Sequence, residues 1–410
     1  MINNKTNCIM ANCGIGIENS GHVKMCNASI DVFKNRKNDP FRLDKDNLQD
    51  IWYSNTRQEI KESLEKGIRH ENCRLCWDAE DSGVTSIRQV LNKTFEGLSP
   101  LKEQPRIVIM KPGNQCNLGC RTCNVEATNQ LYKIDYELNE RPSGIYKEHD
   151  KERLVANKKI SFDDYVKTFE SQRKSFNKDN AVWQTLDAWS EGIVHYALFG
   201  GEPFVMKPLF DMLDRSDVKG HTSSQDLYVS TNATIWSEKY IEIIKNFKSA
   251  CIGLSIDAVG KQFEYMRYPA VWSKVKENIL KFVDLREKNK NISLKVSATC
   301  NPFNVYNLDE LYDFFNELNI MIDIHLIQIP EHYDIRILPL AVKDAISKKF
   351  KDRKDLSHVV TFLNSTMDNP EAHLKDFIYY TQGTDRIREQ KFGSVFPEFN
   401  EILVNNGVVI

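Results

Sequence analysis

Apolar and polar residues alternate through Ile15, Ile17, Val23 and Met25 on either side of Asn19-Ser20-Gly21, and a two-residue period around turn formers predicts a β-hairpin. Cysteines flank it, and a polar, charged stretch over 31–46 follows. The spacing of Leu48, Ile51, Trp52, Ile60 and Leu64 then fits one face of a helix over 47–66, which Gly67 ends. From Arg106 onward short apolar runs alternate with helical periodicity, predicting strands near 107–111, 193–199, 227–231, 251–256, 294–299 and 322–326. That alternation predicts an α/β fold with a parallel sheet and helical crossovers, and six such strands suggest an incomplete barrel. The segment 124–192 is polar early, around Pro142-Ser143-Gly144, and helical later, around 165–189. It is too long for a simple crossover; insertions of that length are usually lids, substrate walls or mobile loops. After Pro330 the pattern is mostly helix and loop, with Pro330, Pro339, Pro370 and Pro397 as breakers, and gives that region no role.

With 410 residues and 41% apolar content, the chain can bury one large core beside a smaller domain. The expected division is 1–100, 101–330 with the insertion, and a helical extension over 331–410. Fifty-five basic and fifty-seven acidic residues leave a net charge of -2, so no global field argues for nucleic acid or an anionic membrane. No apolar run is long enough to cross a bilayer, and Met1-Ile2-Asn3-Asn4-Lys5 lacks the apolar stretch of a secretory signal, so a cytoplasmic protein is expected. Ten cysteines in a reducing compartment are poor disulfide candidates, and the eight before residue 124 fall in two groupings, which favours metal or cluster ligation.

Cys116, Cys120 and Cys123 follow directly after a predicted strand, and Gly113 and Gly119 give the loop freedom to fold three thiolates around one inorganic core. Three sulfurs leave the fourth iron of a cubane open to a ligand, as catalytic metal sites keep one position open. A zinc knuckle borrowing a fourth ligand is the plainer alternative. The loop Cys116-Asn117-Leu118-Gly119-Cys120-Arg121-Thr122-Cys123 resembles the signature of the radical S-adenosylmethionine (SAM) superfamily. The resemblance implies a partial (β/α)6 TIM-like barrel and a [4Fe–4S] cluster whose open iron is chelated by the amino and carboxylate groups of SAM. It also implies reductive cleavage of SAM to a 5′-deoxyadenosyl radical that takes hydrogen from a substrate. Thr122 departs from the pattern, which usually has an aromatic residue there, so adenine stacking is expected from elsewhere.

Gly200-Gly201-Glu202-Pro203 ends the second predicted strand. Alone it reads as a turn; one strand after the cysteine loop it resembles the motif that holds the SAM amino group. Ser230 and Asn232, and Ser255 and Asp257, end the next two strands, where barrel enzymes bind ligands. By resemblance they meet the ribose or carboxylate of SAM or the substrate, although Asn and Asp at strand ends are commonly turn formers. Arg267 resembles an arginine that reaches a carboxylate, with a surface ion pair as its plainer reading. Cys251 and Cys300 read as buried small hydrophobes.

Cys8, Cys13, Cys26, Cys73 and Cys76 offer one thiol more than a tetrahedral metal or a cubane needs. Cys8, the hairpin with Gly21-His22-Val23, Cys26, Ile51-Trp52, Cys73-x-x-Cys76 and Glu80-x-x-Gly83-x-x-Ser86-x-Arg88 resemble the twitch domain, a short relative of the SPASM domain that binds an auxiliary iron–sulfur cluster. That unit usually follows the barrel; here it precedes it. The resemblance selects Cys8, Cys26, Cys73 and Cys76 as ligands, leaves Cys13 within the strand as a reserve, and implies an auxiliary [4Fe–4S] cluster, with a structural zinc site as the alternative. It further implies a low-potential electron donor such as flavodoxin or ferredoxin and a peptide or protein residue as substrate. A small molecule, nucleotide or sugar, is the second reading, and a zinc-binding scaffold without activity the third.

Overall fold

The computed structural model describes residues 5–145 and 159–410; part of the polar half of the insertion, 146–158, lies outside them. The fold is α/β, built on a mostly parallel eight-stranded sheet. Its strands are β1 (Gly14–Ile17), β2 (Val23–Lys24), β3 (Ile107–Met110), β4 (His195–Leu198), β5 (Asp226–Thr231), β6 (Ser249–Ser255), β7 (Ile292–Cys300) and β8 (Met321–Leu326). The order is β2-β1-β3-β4-β5-β6-β7-β8, so β3 to β8 run side by side in chain order and all parallel. These six coincide with the six predicted strands. Ile107, Val108 and Met110 are all buried, as expected of a strand covered on both faces.

The hairpin forms as predicted, but it belongs to the same sheet: β1 pairs with β3 in parallel, Gly14 opposite Ile107 and Ile17 opposite Met110. Cys13 is the last residue of a short helix, Ile9–Cys13, and not part of the strand. The helix expected over 47–66 is two, Leu48–Trp52 and Asn55–Glu65, because Ser54 is extended at φ -61, ψ 146. That break lets the Trp52 indole N–H donate to the Lys102 carbonyl and its ring pack edge-on to Trp189. Beyond β8, the prolines largely start helices: Pro370 and Pro397 are first residues of Pro370–Arg388 and Pro397–Asn405, where a missing N–H costs nothing. One apolar core runs from the N-terminal helices to the C-terminal ones, and a second small cluster, Val125, Leu131, Tyr132 and Tyr165, fills the insertion. Among the described residues no helix is long and apolar enough to cross a membrane.

Candidate active site at the strand ends

The cysteine loop leaves the C-terminal end of β3. Burial pushes the Cys116 thiol up to about 12, with Cys120 adding to the rise. It pushes Cys123 to about 12 as well, reinforced by Cys120 and Cys116, and it raises Cys120. Three half-buried thiols held close together become thiolates most readily against a positive centre, which an iron–sulfur core supplies. Nitrogen donors already reach two of the three sulfurs. The Leu118 N–H donates to Cys116 Sγ at 3.4 Å, Asn232 Nδ2 approaches the same sulfur at 4.0 Å, and Arg267 Nη1 approaches Cys120 Sγ at 3.9 Å. Hydrogen bonds to sulfur orient and tune such clusters. The donor set therefore fits the implied cluster.

The loop is held from two sides. Gly119 N–H donates to the Tyr268 carbonyl and Arg121 N–H to the Met266 carbonyl, both at 2.8 Å. The Arg121 guanidinium lies 3.6 Å from the Tyr265 ring centre, donates to the Tyr265 carbonyl at 3.0 Å and pairs with Asp385. Arg388 donates to the Gly119 carbonyl, and the Tyr333 hydroxyl donates to the Arg121 carbonyl at 2.6 Å. Asp385 and Arg388 belong to the C-terminal extension, which pattern reading left without a role. Nothing in the local spacing announces them, since their partners lie more than 260 residues away.

At the strand ends, Gly200 and Gly201 both have positive φ, 72° and 53°. A Cβ on Gly201 would lie 2.4 Å from the Gln115 carbonyl oxygen, so this turn is pressed against the backbone one residue before Cys116. Glu202 is 1% exposed. Its carboxylate accepts from Thr231 Oγ1 at 2.7 Å, Asn232 N–H at 2.7 Å and Phe204 N–H at 3.1 Å, joining the ends of β4 and β5. Burial still lifts its pKa to about 7, against those hydrogen bonds. Pro203 opens the short helix that follows. Ser230 and Ser255 face each other, hydroxyl to hydroxyl at 3.0 Å. Asn232 also donates to Asn117 Oδ1 at 2.9 Å, within the cysteine loop itself.

Arg267 is buried, not a surface residue: its Nε and Nη2 both reach Asp257 Oδ2 at 2.8 Å, while Asp257 Oδ1 accepts from the Thr299 N–H and hydroxyl. The bidentate pair aims the remaining guanidinium nitrogen at Cys120. Cys300 is fully buried, as read, and Cys251 partly.

Cys8, Cys26, Cys73 and Cys76 line a single small cavity with Met10, Met25, Leu64, Ile87 and Leu91, and Cys13 is absent from its walls. Burial pushes Cys8 up to about 11 and Cys73 up to about 12, with the neighbouring cysteines adding to both. Behind Cys76, Glu80 accepts from Arg88 Nε and Nη2 at 3.0 and 2.6 Å and from the Ser86 hydroxyl, and Arg88 Nη1 donates to the Asn7 carbonyl. The Glu80–Arg88 motif is thus a clamp tying the helix that carries Cys76 to the segment that carries Cys8. Among the described residues no group of three His, Cys, Asp or Glu side chains is gathered around one point as a single metal ion requires. A cubane asks for a wider set, one thiolate per iron.

No family model and no curated protein matches the chain. Among solved structures it is similar to Streptococcus suis SuiB bound to S-adenosylmethionine, at 14% identity and TM-score 0.36, over 77% of this chain and 52% of that one. It is similar to anSMEcpe with bound AdoMet at 15% identity and TM-score 0.33, over 54% of this chain and 52% of that one. A third is the radical S-adenosylmethionine methyltransferase TsrM from Kitasatospora setae, with cobalamin and a [4Fe-4S] cluster bound, at 12% identity and TM-score 0.29, over 35% and 30% of the two chains. The chain spans about half the length of the first two. Overlaps this slight leave the activity to be argued from the residues themselves.

Proposed function

We propose that the protein is a radical SAM enzyme: Cys116, Cys120 and Cys123 hold a [4Fe–4S] cluster with one iron open to SAM, and a substrate loses hydrogen beside it. The observation that carries this reading is the half-buried three-cysteine loop at a strand's C-terminal end, with nitrogen donors at Cys116 and Cys120. When bound, cluster and SAM supply a carbon-centred radical by reductive cleavage. The chain's own residues set the stage: Gly200 and Gly201 bring backbone close to the loop, Asn232 and Arg267 orient Cys116 and Cys120, and Asp257 fixes Arg267. Because Glu202 Oε1 already has two donors and Oε2 one, its part is to hold the two strand ends, with one lone pair of Oε2 left for an ammonium. Ser230 and Ser255 offer paired hydroxyls at the strand ends for ribose or carboxylate.

The six-stranded run is a partial barrel in this reading. A flat sheet would set β3 and β8 about 24 Å apart, yet the loop after β3 bonds to Tyr268 beyond β6 and to Tyr333 beyond β8. The N-terminal cysteines form a twitch-like auxiliary site for a second cluster, ligated by Cys8, Cys26, Cys73 and Cys76; their common cavity supports that choice over Cys13. A peptide or protein residue is the proposed substrate and a flavodoxin or ferredoxin the proposed electron source. Both rest on the resemblance of the sequence motifs alone.

The test is iron and zinc per chain after anaerobic reconstitution, with 5′-deoxyadenosine formation from SAM and a strong reductant. About eight irons falling to about four in a Cys116/Cys120/Cys123 triple alanine variant, with loss of 5′-deoxyadenosine, is the expected result. Zinc in both sites and no SAM cleavage would overturn the proposal.

A further inference from the structure

Along β5, Tyr228 and Ser230 are half-buried while Leu227, Val229 and Thr231 are buried; along β7, half-buried Lys295, Ser297 and Thr299 alternate with buried Leu294, Val296 and Ala298. These strands therefore turn one face to the apolar core and keep the other polar and half-open. The register sets Ser230, Gly253 and Lys295 in one row across β5, β6 and β7, and Ser255, Ser297 and Asp323 in the next row across β6, β7 and β8.

The side chains on the open face meet. A Cβ on Gly253 would lie 2.2 Å from the Tyr228 hydroxyl oxygen, so the phenol reaches across β6 where glycine leaves room. Lys295 Nζ lies 5.0 Å from the Tyr228 ring centre and donates to Asp323 Oδ2 at 3.4 Å. The Phe199 ring stands 5.1 Å from that of Tyr228. The Tyr228 and Ser297 hydroxyls have no hydrogen-bond partner among the described residues, and neither is sealed from solvent as the Tyr196 hydroxyl is. Lys295, its side chain 27% exposed, keeps N–H donors beyond the one given to Asp323. Accessible donors thus gather beside Ser255 with little to accept from them.

The charges on this face point the same way. Lys111 follows Met110 as Phe199 follows Leu198 in the β3 and β4 ladder, and it pairs with Glu18, which also takes Lys24. Lys24, Lys111 and Lys295 against Glu18 and Asp323 leave one positive charge unmatched, since Asp226 is paired with Lys248 and Asp257 with Arg267. One monoanion balances the face.

We propose that this face docks the substrate through a carboxylate bonded to Lys295, with Tyr228 and Ser297 as further donors and an apolar body against the Phe199 and Tyr228 rings. The proposal rests on the reading above, in which Ser230 and Ser255 belong to SAM; Ser297 is registered with Ser255 on the next strand, so a substrate held there lies beside SAM. A carboxylate is favoured over a phosphate because a single positive charge is unmatched and Asp323 opposes a second negative one.

The probe pair is 3-phenylpropanoate and 3-phenylpropanamide, which differ only in the carboxylate. Their binding to the reconstituted full chain is measured by saturation-transfer NMR titration, with and without SAM. The acid should bind about tenfold more tightly than the amide. Lys295→Met/Asp323→Asn leaves the net charge of the face unchanged and should abolish that preference, with circular dichroism as the check on folding. Equal binding of acid and amide to the wild type overturns the proposal without recourse to any variant, as does a preference that survives in the double variant. Displacement of the acid in proportion to SAM occupancy would make Lys295 part of the SAM site, and tighter competition by inorganic phosphate would make it a phosphate site; either overturns it. Formation of 5′-deoxyadenosine by the wild type is scored separately. A protein that cleaves SAM but ignores the carboxylate sinks only the docking proposal, and one that prefers the acid but never cleaves SAM sinks only the radical SAM reading.

Discussion

The guanidinium of Arg121 and the carboxylate of Asp385, 264 positions apart in the chain, form an ion pair beneath the cysteine loop, with their side chains 2% and 13% exposed. The pair anchors the C-terminal extension to the residue that follows Cys120. Removing one member leaves a buried charge alone, which costs about 3–5 kcal/mol. Asp385→Ala should therefore lower the urea midpoint and reduce iron retained at Cys116, Cys120 and Cys123, although every ligand remains. The double variant Arg121→Met/Asp385→Leu should recover part of the stability, because an apolar pair carries no unpaired charge, while the Tyr265 hydroxyl and the Phe392 N–H still lose their acceptor. A single variant as stable as wild type would show the pair to be ornamental.

Four of the N-terminal cysteines, Cys8, Cys26, Cys73 and Cys76, share one cavity, and Cys13 does not. Cys73→Ala/Cys76→Ala should lose about four irons and abolish product while sparing SAM cleavage. Cys13→Ala should keep full iron content, since Cys13 is buried away from the cavity the other four line. Iron assay of the two proteins side by side decides the matter; iron loss in Cys13→Ala would reassign the ligand set.

Gly201 offers a backbone test with a built-in control. At Gly201 an alanine meets both a positive φ and the Gln115 carbonyl oxygen at 2.4 Å, whereas at Gly220 the φ of 78° stands alone, with nothing within 4 Å of the added carbon. Gly220→Ala should cost about 1 kcal/mol of strain. Gly201→Ala should cost more and also weaken SAM binding, by displacing the loop backbone just before Cys116. Urea unfolding and equilibrium dialysis of SAM measure the two effects, and equal losses in both variants would exclude the contact with Gln115.

What the sequence made legible follows from the range of the interactions involved. The strands β3 to β8 could be read because each is a short apolar run between helical stretches. The cysteine loop could be read as a candidate site because three cysteines fall within eight residues directly after a strand. Grouping of Cys8 with Cys26, Cys73 and Cys76 was legible only through a resemblance, as no local period joins positions so far apart. Three features lay beyond pattern. The parallel pairing of β1 with β3 depends on a register between segments about ninety residues apart. The break at Ser54 serves Trp52, whose partners Lys102 and Trp189 come from later elements. Asp385 and Arg388 sit on a helix whose sequence is ordinary; only folding brings them to Arg121 and Gly119.

His332 gives the fold a measurable acid sensitivity. It is 7% exposed, stacked on Tyr380 and tilted against Tyr333, and burial pushes its pKa down to about 3, with the positive charge of Arg141 and the neighbouring His373 adding to the fall. The unfolded chain takes up a proton near the ordinary value of 6.5 while the folded one refuses it until far lower pH. The stability held by the neutral ring is therefore complete above 6.5 and lost as the pH falls toward 3. Between pH 6.5 and pH 5 this residue alone should account for about 2 kcal/mol. His195, held down to about 4 chiefly by burial, slopes the same way, and Glu202, held up to about 7, slopes the opposite way, losing stability as pH rises from 4.5. Both persist in His332→Phe, so the difference between wild type and variant isolates His332. Urea unfolding at half-unit steps from pH 7.5 to pH 5 should give a wild-type curve that falls more steeply on the acid side than the variant's; parallel curves would mean that His332 takes up its proton in the folded protein as readily as in the unfolded one.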